Sequence, residues 1–391
     1  MTTAASRRAY AGPTLFSFGF RPFFLFGSIW SAMVVPLWMW SFLGGGPAAL
    51  TLDWHVHEML FGFLAAIMAG FLTTAVPNWT GRMPIIGLPL VGLISLWVAG
   101  RLAMLAQSTL GPVAAVIDSA FLVVFAGVLW REVLAGRNWR NLPVCVLISV
   151  MALGNIAFHV GVQFSDPRVG ERVALGVAVV LITLIGGRIV PSFTRNWMKG
   201  RGITALPAES GRFDQGVMAI TIIAAAAWAA FPDARLTGAA LLLAGATNLA
   251  RLARWRGWAT LAEPLVTILH VGYLWLGLGL ALLGGSALWP AIPRTAGVHA
   301  LTAGAVGVMT LAVMTRATRG HSGRPIAAGA ATTAIFITIN AATLVRIAAP
   351  FGEAAQPGLL ALSATLWALA FGGFAVAYGP MLTRRFRPAT V

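Results

Sequence analysis

The chain has 391 residues, 58% of them hydrophobic and only 10% charged, with a mean hydropathy of +0.83. A soluble domain carries about 25% charged residues, so this composition excludes one and points into a lipid bilayer. The formal charge of +16 does not indicate a nucleic-acid partner, because the basic residues punctuate apolar runs instead of gathering on a soluble face. One cysteine, Cys145, excludes an internal disulfide and any thiolate metal cluster.

In chain order, a basic arm over residues 1–21 comes first. It lacks the short apolar stretch and small-residue cleavage site of a removable signal peptide. A helix needs about 20 apolar residues to cross a hydrocarbon core of about 30 Å. Twelve such runs follow, near 22–43, 54–76, 85–106, 113–134, 142–163, 172–191, 216–231, 236–250, 262–283, 298–315, 326–348 and 358–380. The seventh and eighth are short. The predicted fold is therefore all-α, a single polytopic domain over 1–391 with twelve transmembrane helices. With the N-terminus inside, 21 of the 27 Lys and Arg fall on the cytoplasmic side, which places both termini there and makes 192–215 the longest cytoplasmic loop. The basic excess thus serves insertion and contact with anionic lipid.

This topology sorts the histidines. The second span opens with "DWHVHEMLFGF", which puts His55, His57 and Glu58 at its outer end. His159 lies near the outer end of the fifth span, His299 at the outer start of the tenth, His270 in the middle of the ninth and His321 in a cytoplasmic loop. Four of the six share one side of the membrane. Neutral imidazole is a common ligand for iron, copper and zinc, so their convergence would make a metal or heme site; a lone histidine at a helix end is more often a packed interfacial residue. His55 and His57 are two residues apart, about 200° around a helix, and face different neighbours. Glu58 is placed to orient the His55 ring, and Asn155, four residues before His159, to orient the His159 ring.

Two further features carry two readings each. Glu263, Thr267 and His270 form a stripe that is either a proton path or a satisfied polar seam. Arg101 and Arg346 lie where heme propionates would emerge, and a guanidinium fork suits a carboxylate; alternatively, Arg101 pairs with Asp118 on the fourth span. An internal echo relates 57–82 to 299–324: Gly62 matches Gly304, Thr73 matches Thr315, and Gly81-Arg82 matches Gly323-Arg324. "VPNWTGR" after the second span returns as "VPSFTRNWMKGR" after the sixth. This pattern suggests a four-helix unit used three times in a pseudo-threefold arrangement, in which His57 and His299 could clamp one heme. No glycine-rich phosphate loop, H-E-x-x-H or nucleophile elbow occurs.

The stretches "LFSFGFRPFFLFG", "DWHVHEMLFGF", "GFLTTAVPNWTGR", "GNIAFH", "GGRIVPSFTRNW" and "HALTAGAVGVMTLAVMTRATRGHSGRP" resemble the NnrS family of bacterial inner-membrane proteins over nearly the whole chain. The resemblance implies a heme- and copper-containing protein of nitric oxide metabolism, nitrosative-stress tolerance and denitrification, with nitric oxide as its small-molecule ligand and an electron donor not named by the sequence. A second, architectural resemblance is to the catalytic subunits of heme–copper oxidases and nitric oxide reductases, whose second and tenth helices hold a heme; His57 and His299 match those positions. The sixth span has no histidine and the seventh no adjacent histidine pair, so the dinuclear centre of those enzymes does not carry over. The expected site is heme iron on His57 and His299, with copper on some of His55, His159 and His270. Three functions stay open: nitric oxide binding or reduction at an open metal, electron transfer or protection by a six-coordinate heme, and transport of a small solute or metal.

Overall fold

The computed structural model describes residues 10–164, 166–352 and 354–385. Twelve helices long and apolar enough to cross a membrane account for most of them: α1 Phe20–Phe42, α2 Leu52–Thr80, α3 Leu88–Leu105, α4 Pro112–Ala135, α5 Trp139–Phe164, α6 Arg168–Lys199, α7 Arg212–Ala230, α8 Arg235–Ala253, α9 Pro264–Ser286, α10 Arg294–His321, α11 Ala330–Phe351 and α12 Gln356–Thr383. Among the described residues there is no strand. Every predicted span is present, and the chain is a multi-pass membrane protein. The short seventh and eighth spans are full helices of 19 residues each. The loop expected over 192–215 is shorter, because α6 continues to Lys199; its last turns carry Arg195 and Lys199, polar enough to end a hydropathy window without ending a helix.

Three spans carry π-helical turns, at Glu58–Leu64 in α2, Ile182–Gly186 in α6 and Ala300–Val308 in α10. One span in every four is thus bulged, at the period of the sequence echo. These three are also the most buried, with 83, 67 and 72% of their apolar windows inside the protein. A π turn accommodates an extra residue and disturbs the regular i→i+4 ladder, which frees backbone groups for other partners. In α2 the Gly62 carbonyl accepts from Trp97 Nε1 at 2.9 Å. In α6 the Thr183 carbonyl accepts from Arg251 Nη1 at 3.0 Å.

Backbone contacts divide the chain into two compact units. The first comprises 1–174, 314–325 and 371–391. Its α2 begins at Thr51, whose hydroxyl accepts from Trp54 N at 3.1 Å, and ends at Gly81, whose left-handed φ of +69° closes the last turn. Arg21 donates to the Met381 and Leu382 carbonyls at 2.9 Å and so satisfies the exposed end of α12. The second unit comprises 175–313 and 326–370. There α9 is the packing centre: Trp275 donates its indole N–H to Asn340 Oδ1 at 2.9 Å, and a Cβ on Gly304 would lie 2.8 Å from the Trp275 ring. Gly304, the partner of Gly62 in the echo, is therefore a close-approach position.

Candidate metal centre

Four spans of the first unit bring six polar side chains to one buried point. His57 and Glu58 come from α2, Arg101 from α3, Asp118 from α4, and Asn155 and His159 from α5. His57, Glu58 and Asp118 have side chains with no exposure; Arg101 is 3% and His159 12% exposed. Burying this many ionisable groups is costly unless each finds a partner, and here they do.

Asp118 is the hub. Its Oδ2 lies 3.0 Å from His57 Nε2 and 2.9 Å from His159 Nε2, and accepts from Asn155 Nδ2 at 2.9 Å. Its Oδ1 accepts from Arg101. The second guanidinium nitrogen of Arg101 donates to Glu58 Oε2 at 2.5 Å, and Trp30 Nε1 donates to the same oxygen at 2.7 Å. Glu58 Oε1 in turn lies 3.1 Å from His57 Nδ1. One arginine therefore fixes two carboxylates, and each carboxylate holds a different nitrogen of the same imidazole. The π turn starts at Glu58, directly after His57, and brings these sequence neighbours into contact at the inner face of α2. A Cβ on Gly62 would sit 2.5 Å from Arg101 Nη1 and 2.7 Å from Glu58 Oε2, so only glycine leaves room for the ion pair against the helix.

One ligand atom from each of His57, His159 and Asp118 lies within 4.8 Å of the others. Two imidazoles and a carboxylate are a donor set that divalent first-row metals accept, with positions left over for an exogenous ligand. Glu58 behind the His57 Nδ1 is the kind of partner that fixes the orientation and tautomer of a metal-binding imidazole. Both ring nitrogens of His57 face carboxylate oxygens, so a metal ion at Nε2 would take the place of the proton that His57 otherwise shares with Asp118.

The residues predicted from sequence divide cleanly. His57, Glu58, Arg101, Asn155 and His159 gather at this point. Glu58 serves the His57 ring where the His55 ring was expected; His55, on the opposite side of α2, stacks on Trp38 with ring centroids 4.3 Å apart. Asn155 bonds Asp118 and lies 3.2 Å from His57 Nε2 through its own Oδ1. Arg101 takes its alternative reading, paired with Asp118. The other candidates lie in the second unit. His270 Nε2 is 2.8 Å from Thr194 Oγ1, His299 Nδ1 is 2.8 Å from the Thr295 carbonyl, and Arg346 is half-buried near the end of α11. The stripe on α9 resolves into local bonds: Glu263 accepts from Leu265 N and Ala328 N, and Thr267 donates to the Thr260 carbonyl. Sequence reasoning undervalued Asp118, naming it only as a counter-ion. The available signal was its position as the one acid inside the outer half of a valine-rich span.

The second unit has its own buried polar cluster. Arg251 donates to Asp214 Oδ1 at 2.7 Å, to the Thr183 carbonyl at 3.0 Å and to Tyr273 Oη at 3.1 Å. Tyr273 donates to Asn248 Oδ1 at 2.6 Å, and Asn248 donates to Thr221 Oγ1 at 3.0 Å.

A twelve-span helical fold with a buried histidine–carboxylate centre defines a class: polytopic membrane proteins that gather ionisable side chains among their helices. The family model described as "NnrS protein" matches residues 14–385. The chain belongs to that family, and is thereby a membrane protein of the nitric oxide response. No curated protein matches it.

Proposed function

We propose that this chain holds one copper or iron ion on His57 Nε2, His159 Nε2 and Asp118, and binds nitric oxide there, as a bacterial inner-membrane protein with both termini cytoplasmic and three pseudo-threefold four-helix repeats. The observation that carries the reading is a single carboxylate oxygen within 3.0 Å of two imidazole nitrogens at a point sealed from water. Glu58 sets the His57 ring, Arg101 holds both carboxylates, and Asn155 braces Asp118. A bound ion would supply a Lewis-acidic, redox-active position.

The family's heme fits His57 poorly. An axial imidazole needs an open face at its coordinating nitrogen for the macrocycle. Here the Asp118 and Asn155 oxygens stand 3.0 and 3.2 Å from Nε2, and Glu58 stands at Nδ1. Arg101 is likewise committed to carboxylates of the protein, not to propionates. These neighbours suit a small ion.

The test is metal content and spectrum. Purified full-length protein should retain about one equivalent of copper or iron per chain, and give a nitric oxide adduct whose spectrum changes in His159→Ala and vanishes in Asp118→Asn. Retention of metal and adduct in His57→Ala, Asp118→Asn and His159→Ala alike would remove the proposal. Consumption of nitric oxide by the reduced protein, with electrons from an added donor, separates turnover from binding alone.

A further inference from the structure

The centre is closed on every side but one, and we infer that the open side faces the bilayer, so that its ligand is a small, uncharged, lipid-soluble molecule entering beside His159 and not a hydrated anion. This rests on the metal-site reading and specifies what reaches it. Phe61 and Phe158 cover the His57 ring with centroids 5.3 and 5.4 Å away, and both are fully buried. Arg101, Glu58 and Trp30 close a second side through their hydrogen bonds. Asn155, 1% exposed, closes a third. Of the three candidate ligands only His159 has any exposed side-chain surface.

Away from the helix end, what surrounds that edge is hydrocarbon. On α5, the exposed positions flanking His159 are Ile156, Val160 and Val162, at 39, 50 and 52% exposure, followed toward the helix end by Gln163 and Phe164. On α4, the exposed residue nearest Asp118 in sequence is Val116, at 70%. From Val113 to Gly127 on α4, and from Val146 to Val162 on α5, every exposed residue is valine, leucine, isoleucine or glycine. On transmembrane spans such a surface is covered by lipid tails. A charged ligand would have to leave water to cross it, at heavy cost, whereas a neutral diatomic dissolves in it. An aqueous entrance would instead be lined by polar groups.

The experiment compares ligands and lids. Full-length protein in lipid nanodiscs, loaded with ferrous or cuprous ion, is mixed with nitric oxide or with azide in a stopped-flow instrument. Val160→Trp and Ile156→Trp narrow the inferred entrance; Val146→Trp, on the same exposed face about 20 Å away along α5 at 1.5 Å per residue, controls for the bulk of the new ring. Nitric oxide should bind the wild type and Val146→Trp at similar rates, bind at least one of the two lid variants about tenfold more slowly, and outpace azide throughout. Azide binding as fast as nitric oxide, with both lid variants unaffected, would overturn the inference while leaving the metal site intact. A lid variant that fails to fold is recognised by lost metal, and the other lid with the azide comparison still decides. If the wild type retains no metal under loading, the site proposal itself fails, and that is scored by metal analysis before any ligand is added.

Discussion

The two units solve a similar local problem with different side chains. In each, an arginine reaches a π-bulged span at a glycine: Arg101 beside Gly62, and Arg251 beside Gly187, where a Cβ would lie 2.4 Å from the guanidinium. In each, that arginine pairs with a buried aspartate, Asp118 or Asp214. The surroundings then diverge. Around Arg251 the remaining groups are a carbonyl, a phenol and an amide; its carboxylate partner Asp214 also meets Arg254 at 3.6 Å, and the Tyr273–Asn248–Thr221 chain satisfies the rest. Around Arg101 there is a second carboxylate, and the groups facing Asp118 are imidazoles. A balanced, fully satisfied network is a structural lock. A network whose acceptor oxygen faces two imidazole nitrogens has the donor set that the proposed metal ion needs.

The largest effects test whether the locks are equivalent as locks. Arg101→Ala strips the only guanidinium from two buried carboxylates, and a broken buried pair costs about 3–5 kcal/mol. Arg251→Ala should cost less in denaturant melts of the detergent-solubilised protein, since Asp214 keeps Arg254 at 3.6 Å and the Gly211 N–H at 3.0 Å. Only Arg101→Ala should also release metal. Equal loss of metal from both variants would erase the distinction between the units.

Next in size is the conservative pair Asp118→Asn and Asp214→Asn. Each keeps the shape and removes the charge. Asp118→Asn deletes a ligand and should lower metal affinity at least as much as losing an orienting partner, that is by more than about 10–100-fold, and it should also shift the melt, because Arg101 loses a buried carboxylate. Asp214→Asn should shift the melt and leave metal titrations unchanged. Glu58→Gln sharpens the contrast within the first unit: the His57 ring keeps a hydrogen-bonding neighbour but loses its anionic one, and affinity should fall by about 10–100-fold.

Much of this architecture was legible in the sequence. Twelve spans follow from hydropathy because lipid permits few alternatives to a helix, and the observed bounds shift mainly where a helix runs on into polar residues, as α6 does to Lys199. The site was half legible. His57, Glu58, Arg101, Asn155 and His159 stand out because polar residues in apolar helices demand a reason. Membrane depth, however, groups residues without their azimuth. His55 shares the depth of His57 and turns to Trp38; His270 and His299 belong to the other unit. The hub was missed because an aspartate beside an arginine reads as a counter-ion, and the difference between counter-ion and ligand lies in the two imidazoles at its other oxygen, which come from α2 and α5. The π turns leave little compositional mark: Glu58–Leu64, Ile182–Gly186 and Ala300–Val308 have in common that each contains glycine and that each lies in one span of every four.

The smallest effect is the most discriminating for the lock in the second unit. Tyr273→Phe removes one hydroxyl that donates to Asn248 Oδ1 and accepts from Arg251, leaving the ring packed against Trp255 at a centroid distance of 4.6 Å. Arg251 retains Asp214 and the Thr183 carbonyl, so the unsatisfied group is the amide oxygen of Asn248, worth about 1–3 kcal/mol when buried. The melt should shift by that amount, with metal content and nitric oxide spectrum identical to wild type. A phenol that served the chemistry instead of the fold would reverse the pattern, changing the spectrum of the adduct while the melt held still. The second cluster would then have to be counted with the first as part of the reacting apparatus.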